Sequence, residues 1–357
     1  ANVAIAAAAR LLAPRVPLLA RAHTARAADS LHAFDSDHVI DPFTTFARHL
    51  ALAMRAPGCY RLHDWLTAPP DSELQKEHEP PAGTWLVCGY GRFGRSIREA
   101  LVAQGATIRI IDPAGPADAD DPVIAGVGTE REVLDRAGVA AADGLVAGTD
   151  DDIANLAILA MARELNPRLF TVARQNEAVN QALFERIRAN LVMRPSEIIA
   201  EEALARLTTP LLDRFLDALR DKDDAWGDLA IHQLRKRIGT RAPKTWTITV
   251  DSNDSPALVD TLADGQHPVT LDDLLRDPRN RDAQLPARAL LLLRSGAQTL
   301  LPGDETVLVP GDRILLAGRG EARRLLALAL RDVNVLEYLC TGRDLPGGWV
   351  WKKFARG

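Results

Sequence analysis

The sequence predicts an α/β protein: doubly wound parallel-sheet domains in tandem, the first one partial, followed by a smaller α+β domain. Three observations carry this expectation. Strand-like and helix-like segments alternate from Trp85 to Met193, a glycine-rich turn joins the first of those strands to its helix, and an N-terminal segment recurs at an offset of 153 residues. Alternation with short turns implies parallel strands covered on both faces, because each crossover helix must pack back onto the sheet.

Trp85 to Cys88 is a short apolar run and reads as a buried strand, and Arg95 to Gln104 reads as an amphipathic helix. Thr107 to Ile111 is the next strand, followed by a Pro-, Gly- and Asp-rich loop through Asp121. Pro122 to Ala125 and Gly144 to Ala147 read as further strands, with Glu130 to Arg136 helical between them. Asp152 to Leu165 is a long helix, Leu169 to Ala173 a strand, Asn176 to Ala189 a helix and Leu191 to Met193 a last strand. This is a Rossmann-like pattern. Before it, Thr67 to Pro81 is rich in Pro, Glu and Lys and reads as an exposed hinge. After it, Ile198 to Leu219 and Trp226 to Ile238 read as helices. Short strands at Trp246 to Val250, Ala289 to Leu293, Val307 to Val309 and Arg313 to Ala317 follow, and Ala322 to Leu330 reads as a closing helix.

The N-terminal repeat supplies the domain boundaries. Asn2 to Arg21 aligns without a gap on Asn155 to Arg174, with 11 of 20 positions identical, and Val39 to Pro42 falls on Val192 to Pro195. Two unrelated alanine-rich helices would not keep register through Pro14 and the strand beyond it, so the match reads as a duplication. Because Asn155 lies mid-domain and Asn2 near the chain start, the first copy is expected to lack its front half, as in a piece of a longer protein. The expected division is residues 1–66, the second half of a first sheet domain; 67–82, a linker; 83–200, a complete sheet domain; 201–240, a helical connector or dimerisation segment; 241–332, the α+β domain; and 333–357, a tail containing Trp349, Trp351 and Phe354.

Composition narrows the function classes. The chain has 357 residues, 43 Lys+Arg against 48 Asp+Glu and a net charge of −5, spread along its length, which argues against nucleic acid as a partner. Three widely spaced cysteines, Cys59, Cys88 and Cys340, do not form a disulfide framework and fit a reducing compartment. The longest apolar runs, Val3 to Ala9 and Leu156 to Ala162, fall short of the ~20 residues a membrane-spanning helix needs. Arg10, Pro14, Arg15 and Pro17 interrupt the alanine-rich N-terminus, against a targeting segment.

The chemical signal is Gly89-Tyr90-Gly91-Arg92-Phe93-Gly94, a G-x-G-x-x-G turn directly between strand and helix. Gly89 permits the tight turn, Gly91 lets a pyrophosphate approach the backbone, and Gly94 lets helix and strand pack closely. The helix N-terminus offers free N–H groups to phosphate. Asp112, 23 residues after Gly89, is placed to accept hydrogen bonds from ribose hydroxyls and to repel a 2′-phosphate, favouring NAD(H) or an adenine nucleotide such as ADP or ATP. A dehydrogenase also needs a proton donor or acceptor at the nicotinamide. His232 and His267 lie in ordinary contexts, and no nucleophile–base set or metal motif has catalytic spacing. His23, His32 and His38 share no helix face and read as surface residues. A nucleotide site without chemistry suggests sensing, and no enzyme activity is expected.

Together with Thr149-Asp150-Asp151-Asp152-Ile-Ala-Asn155, Ala162-Arg163-Glu-Leu-Asn-Pro167 and Val172-Ala-Arg174, the glycine turn resembles the RCK family, regulators of potassium conductance also known as TrkA-type nucleotide-binding domains. The segment Thr245 to Leu330, with its Pro-Gly-Asp turns at Asp304 and Asp312, resembles more weakly that family's C-terminal ligand-sensing domain. The resemblance implies a gating module at the cytoplasmic membrane face. Its partner would be a potassium channel pore or transporter membrane subunit, and it would assemble as a homo-oligomer. It also implies a cofactor site of Gly89, Tyr90, Gly91, Arg92, Phe93, Gly94, Asp112, Thr149, Asp150, Asn155 and Arg174, with Arg92 and Arg174 on phosphate and Asp112 on ribose. Spacing alone leaves Arg174 and Asn155 open as solvated residues, and reads Asp150, Asp151 and Asp152 as helix caps. One departure stands out: the family's Gly-Asp-Ala-Thr is here Gly126-Val127-Gly128-Thr129, which removes an acidic ligand contact. A potassium/proton antiporter regulator and, less favoured, an NAD-dependent oxidoreductase are the alternatives.

Overall fold

The computed structural model describes residues 2–22, 24–74, 79–115 and 121–343. The chain forms two compact units, residues 1–60 with 77–204, and residues 61–76 with 205–357.

The first unit opens with α1 (Asn2–Leu12), β1 (Leu19–Arg21), α2 (Ala25–Ala33), β2 (His38–Ile40) and α3 (Pro42–Arg55). The helix that follows, α4 (Pro57–Thr67), runs on into the second unit. After residues 79–83 come β3 (Thr84–Cys88), α5 (Arg92–Ala103), β4 (Thr107–Asp112), β5 (Val123–Ala125), α6 (Arg131–Ala137) and β6 (Gly144–Ala147). Then follow α7 (Asp152–Leu165), β7 (Phe170–Arg174), α8 (Gln181–Ile187), β8 (Leu191–Met193) and α9 (Pro195–Thr208). Strands β3 to β8 form one six-stranded parallel sheet in the order β5-β4-β3-β6-β7-β8, while β1 and β2 form a separate parallel pair. The sheet is buried on both faces because side chains alternate along each strand. On β3, Trp85 and Val87 enter the core shared with α5, and Leu86 and Cys88 the core shared with α6 and α7.

The offset seen in the sequence is a structural offset as well. Leu19 to Arg21 pair in register with His38 to Ile40, and 153 residues later Val172 to Arg174 pair with Leu191 to Met193. Asn2 Nδ2 donates to the Arg21 carbonyl at 2.9 Å, and Asn155 Nδ2 to the Arg174 carbonyl at 2.8 Å. The correspondence continues to α3 and α9, which share both bounds after the shift.

The first copy does not fold apart from the second. Phe43, Phe46, Ala47 and Leu50 of α3 join Phe93, Ile97 and Leu101 of α5 in one core, and Phe43 and Phe46 each stand 5.8 Å from the Phe93 ring. Burying each of these large side chains contributes about 1.5–3 kcal/mol, so α3 is anchored to the helix that begins at the glycine turn.

The second unit contains α10 (Pro210–Ala218), α11 (Asp224–Ile238), β9 (Lys244–Thr249), α12 (Pro256–Asp264), α13 (Leu271–Leu274), β10 (Arg276–Asp277), β11 (Asn280–Gln284), β12 (Ala287–Arg294), β13 (Ala297–Leu300), β14 (Arg313–Gly318), α14 (Gly320–Arg331) and α15 (Val333–Thr341). Its antiparallel sheet, ordered β13-β12-β14-β9, packs on a core that includes Trp246, Leu292, Leu316 and Leu326. Arg294 grips the fully buried Asp312 through two hydrogen bonds of 2.8 and 2.7 Å.

Several expectations need correction. Helix α5 begins at Arg92 rather than Arg95, with Gly91 as its N-cap. The helix expected over Ile198 to Leu219 is broken between α9 and α10, because Pro210 cannot donate and pushes Thr209 out of helical geometry. The helix expected over Asn176 to Ala189 is a single turn at Ala178–Asn180 followed by α8. Val307 makes one bridge to Thr270 rather than a strand with Val309. The linker is not wholly exposed: Ala242 N–H donates to the Ser72 carbonyl at 2.8 Å and Leu74 N–H to the Thr240 carbonyl at 3.3 Å. The expected tail begins with α15, whose Leu336 and Leu339 are buried, while Trp349, Trp351 and Phe354 lie outside the described residues. Among the described residues, no helix is long and apolar enough to cross a membrane.

Candidate functional site

At the C-terminal ends of β3, β4, β6 and β7 lies a cavity of about 610 Å³, the place where open parallel sheets bind ligands. Its floor is the glycine turn, and the three glycines have three different reasons to be there. Gly89 has φ 90°, a left-handed value that side chains avoid. A Cβ on Gly94 would stand 2.0 Å from the Gly89 carbonyl oxygen, so only glycine lets α5 seat against the turn. Gly91 has an ordinary φ of −69°, and a Cβ there would meet nothing within 4 Å. Neither conformation nor packing requires a glycine at position 91. Its missing side chain leaves open space beside the uncapped N-terminus of α5.

The sequence-predicted residues divide into those that line the cavity and those that hold its walls. Gly89, Gly91, Arg92, Asp112, Thr149, Asp150 and Arg174 line it. Tyr90, Phe93, Gly94 and Asn155 stand behind. Tyr90 N–H donates to Asp112 Oδ2 at 2.8 Å, and the Arg95 guanidinium lies over the Tyr90 ring at 4.5 Å. Ala114 N–H donates to Asp112 Oδ1 at 2.9 Å, so this carboxylate also ties β4 to the turn. Asn155 is fully buried and neither solvated nor in contact with the cavity. Its amide oxygen accepts from Thr149 N–H (3.0 Å) and Thr149 Oγ1 (2.7 Å), and its amino group donates to the Thr149 and Arg174 carbonyls. It therefore clamps the β6–α7 loop to the end of β7.

The three aspartates at the start of α7 have separate roles, not one shared capping role. Asp151 alone caps the helix, accepting from Ile153 N–H and Ala154 N–H at 2.8 and 3.1 Å. Asp152 accepts from Asn176, Glu177 and Asn180 and fixes the loop after β7. Burial alone would raise its pKa, but these hydrogen bonds hold it below the usual carboxylate range. Asp150 remains exposed and attracts Arg174.

Among the lining residues that were not expected, two come from the first copy: Arg21 and Phe43. Arg92 and Arg174 stand over the Phe43 ring at 5.0 and 4.9 Å, so two guanidinium groups share one ring. Arg174 has its acidity increased first by burial and then by Arg92, against the pull of Asp150 and Asp152. The Nε atoms of Arg21 and Arg174 are both buried and make no hydrogen bond among the described residues. Arg92 instead pairs with Asp41 Oδ2 at 2.8 Å, while Asp41 Oδ1 caps α3 through Phe43 N–H at 3.0 Å. The sequence contained the signal for Arg21, since it is the repeat counterpart of Arg174; nothing in it announced Phe43.

Val127 lines the cavity with an exposed apolar side chain where the family motif has an acid. Cys88 lies beneath, its thiol pushed up to about 12 by burial, so it holds little thiolate. No cluster of three or more His, Cys, Asp or Glu side chains able to hold a metal occurs among the described residues.

A parallel sheet with a glycine turn of this kind at its strand ends defines a Rossmann-like domain. Residues 85–195 match the TrkA-N domain family, and that segment of the chain is a domain of this family. It is 28% identical over 142 residues to the Trk system potassium uptake protein TrkA homolog of Pyrococcus abyssi, covering 37% of this chain and 63% of that protein. It is 29% identical over 97 residues to Potassium channel protein 1 of Methanocaldococcus jannaschii, covering 25% of this chain and 29% of that one. The GsuK RCK domain structure aligns with a TM-score of 0.47 at 15% identity, over 92% of this chain and 78% of that chain. The chain thus matches under two thirds of the Pyrococcus relative's length.

Proposed function

We propose that this chain is a nucleotide-sensing regulatory module for a potassium channel or potassium-uptake system, working at the cytoplasmic face of the membrane as a homo-oligomer and without bond chemistry of its own. The observation that carries the reading is Gly91, a glycine that the fold does not need and a phosphate does. The cavity's cations are Arg21, Arg92 and Arg174, which suit the phosphates of NAD(H), ADP or ATP. Asp112 retains lone pairs for ribose hydroxyls, and Val127 offers an apolar face to an adenine ring.

The ligand's effect would pass through Asp41. A phosphate and the Asp41 carboxylate compete for Arg92, and Asp41 also caps α3. Both partners are partly exposed, so the pair contributes about 0–1 kcal/mol, little enough for a ligand to displace it. Freeing Asp41 would alter how α3 of the first copy seats on α5 of the second. Only a ligand that binds one arrangement more tightly can shift the balance between them. Thermal unfolding titrated with NADH, NAD, ADP and ATP tests the reading: one of them at 100 times its Kd should add about 2.7 kcal/mol of stability. No shift with any of them at millimolar concentration would overturn it, as would sustained NADH turnover for the absence of catalysis.

A further inference from the structure

At the opposite end of the sheet the two copies differ, and the difference is in charge. A cavity of about 520 Å³ at the N-terminal edge of β7 and β8 is lined by Arg163, Arg168, Arg188, Asn190 and Glu79, with Leu169 and Phe170 as apolar backing. The repeat aligns the first four with Arg10, Arg15, Asp35 and Asp37. Two cations and two anions in the first copy thus become three cations and an amide in the second.

The first copy shows how the arginine is ordinarily neutralised. Arg10 pairs with Asp37 at 2.8 Å, and Asp37 also accepts from Leu18 N–H at 2.7 Å. In the second copy Asn190 takes over the backbone duty, accepting from Thr171 N–H at 2.8 Å, but brings no charge. Arg163 is left with the Ile187 and Arg188 carbonyls and the Thr171 hydroxyl, so its charge has no counter-ion among the described residues. The Arg168 and Arg188 side chains make no hydrogen bond or ion pair among the described residues, and Glu79 is the one described carboxylate lining the cavity.

Backbone geometry gives no reason for an arginine at position 188. Arg188 has φ 53° and its counterpart Asp35 has φ 48°. Asp and Asn enter that left-handed region at low cost, and long side chains do so rarely. Local strain of this sort is retained where the side chain has another use.

We propose that this cavity binds a small, multiply charged phosphate-type oxyanion, independently of the glycine turn. Guanidinium groups grip such ions through paired, charge-assisted hydrogen bonds, and the apolar backing strengthens them. Phe170 and Arg174 mark the two ends of β7, so this site and the glycine turn lie about 13 Å apart along the strand. A small ion cannot occupy both.

Isothermal titration calorimetry of the full chain with inorganic pyrophosphate tests the proposal. Saturable binding is expected, retained in Gly91→Asp and weakened at least about tenfold in Arg188→Asp and in Arg168→Ala. Arg188→Asp installs the residue the first copy already holds at this φ, so it should fold; Arg168→Ala trims an exposed side chain and is the second line of test. No saturable binding at millimolar pyrophosphate overturns the proposal. So does binding that is lost in Gly91→Asp or unaffected by both arginine variants.

Discussion

Replacing Gly91 with aspartate should make the empty protein more stable while abolishing its response to nucleotide. Gly91 already has N-cap geometry, φ −69° and ψ −165°, and α5 has no side chain capping its N-terminus. Aspartate is among the best N-caps, a few tenths of a kcal/mol better than glycine. A negative charge at a helix N-terminus adds about 0.3–1 kcal/mol. Restricting the unfolded chain adds about 0.4–1 kcal/mol. A side chain there meets nothing within 4 Å, so no steric cost opposes these gains, and only repulsion from Asp112 and Asp150 across the cavity reduces them. The net is about 1 kcal/mol, or roughly 2–4 °C in Tm for a unit of this size. Gly94→Ala is the contrast. Its Cβ would overlap the Gly89 carbonyl oxygen at 2.0 Å, an overpacking cost of about 1–3 kcal/mol or more against a helix-propensity gain of about 1. Calorimetric unfolding of both variants, with and without ADP and NADH, separates the two roles. If Gly91→Asp lowers the apo Tm as Gly94→Ala does, or keeps a ligand-induced shift, the argument from the dispensable glycine is wrong.

Arg21→Ala should weaken nucleotide binding about as much as Arg174→Ala, roughly tenfold, with little change in apo Tm; titration of each variant checks this, and wild-type affinity in Arg21→Ala would remove the first copy from the site. Asn155→Ala removes the partner of the Thr149 N–H and of the Arg174 carbonyl and should cost about 2 kcal/mol, whereas Asn2→Ala, which frees only the Arg21 carbonyl, should cost about 1; chemical denaturation measures both. His63 is held neutral first by burial and then by Arg220, with a pKa near 4 against 6.5 in the unfolded chain. The unfolded state therefore gains the proton first as pH falls, and stability should drop from pH 6.5 down to about 4, by at most about 3 kcal/mol. His63→Leu, which copies the repeat counterpart Leu216, should flatten that slope in denaturation curves recorded between pH 4 and 7.

The parallel sheet was legible because buried strands such as Trp85 to Cys88 and Leu191 to Met193 are short apolar runs between turn residues. The second unit was less so: β11 is Asn280-Arg-Asp-Ala-Gln284, a polar ribbon held by pairing to β10, with no periodicity to find. In the site, the glycine turn and Asp112 were local in sequence and easily read. Asn155 stayed open in the sequence because a buried asparagine and a solvated one look alike until its hydrogen bonds are known. Phe43 could not be read at all, since it enters the site through the packing of α3 on α5, a contact between residues about 50 apart. Arg21 lies between these cases. The offset of 153 equates it with Arg174, because a repeat is also a map of equivalent positions. Used as a map, its matches and mismatches inform differently. The matches, Asn2 with Asn155 and Arg10 with Arg163, are residues that hold a strand end or a loop in both copies, and they explain the fold. The mismatches, Asp35 with Arg188 and Asp37 with Asn190, fall where the backbone is unchanged and only the charge differs. Because the backbone is held constant, a change in charge there cannot be assigned to folding. In a duplicated domain, the first copy thus serves as the internal control against which the chemistry of the second can be read.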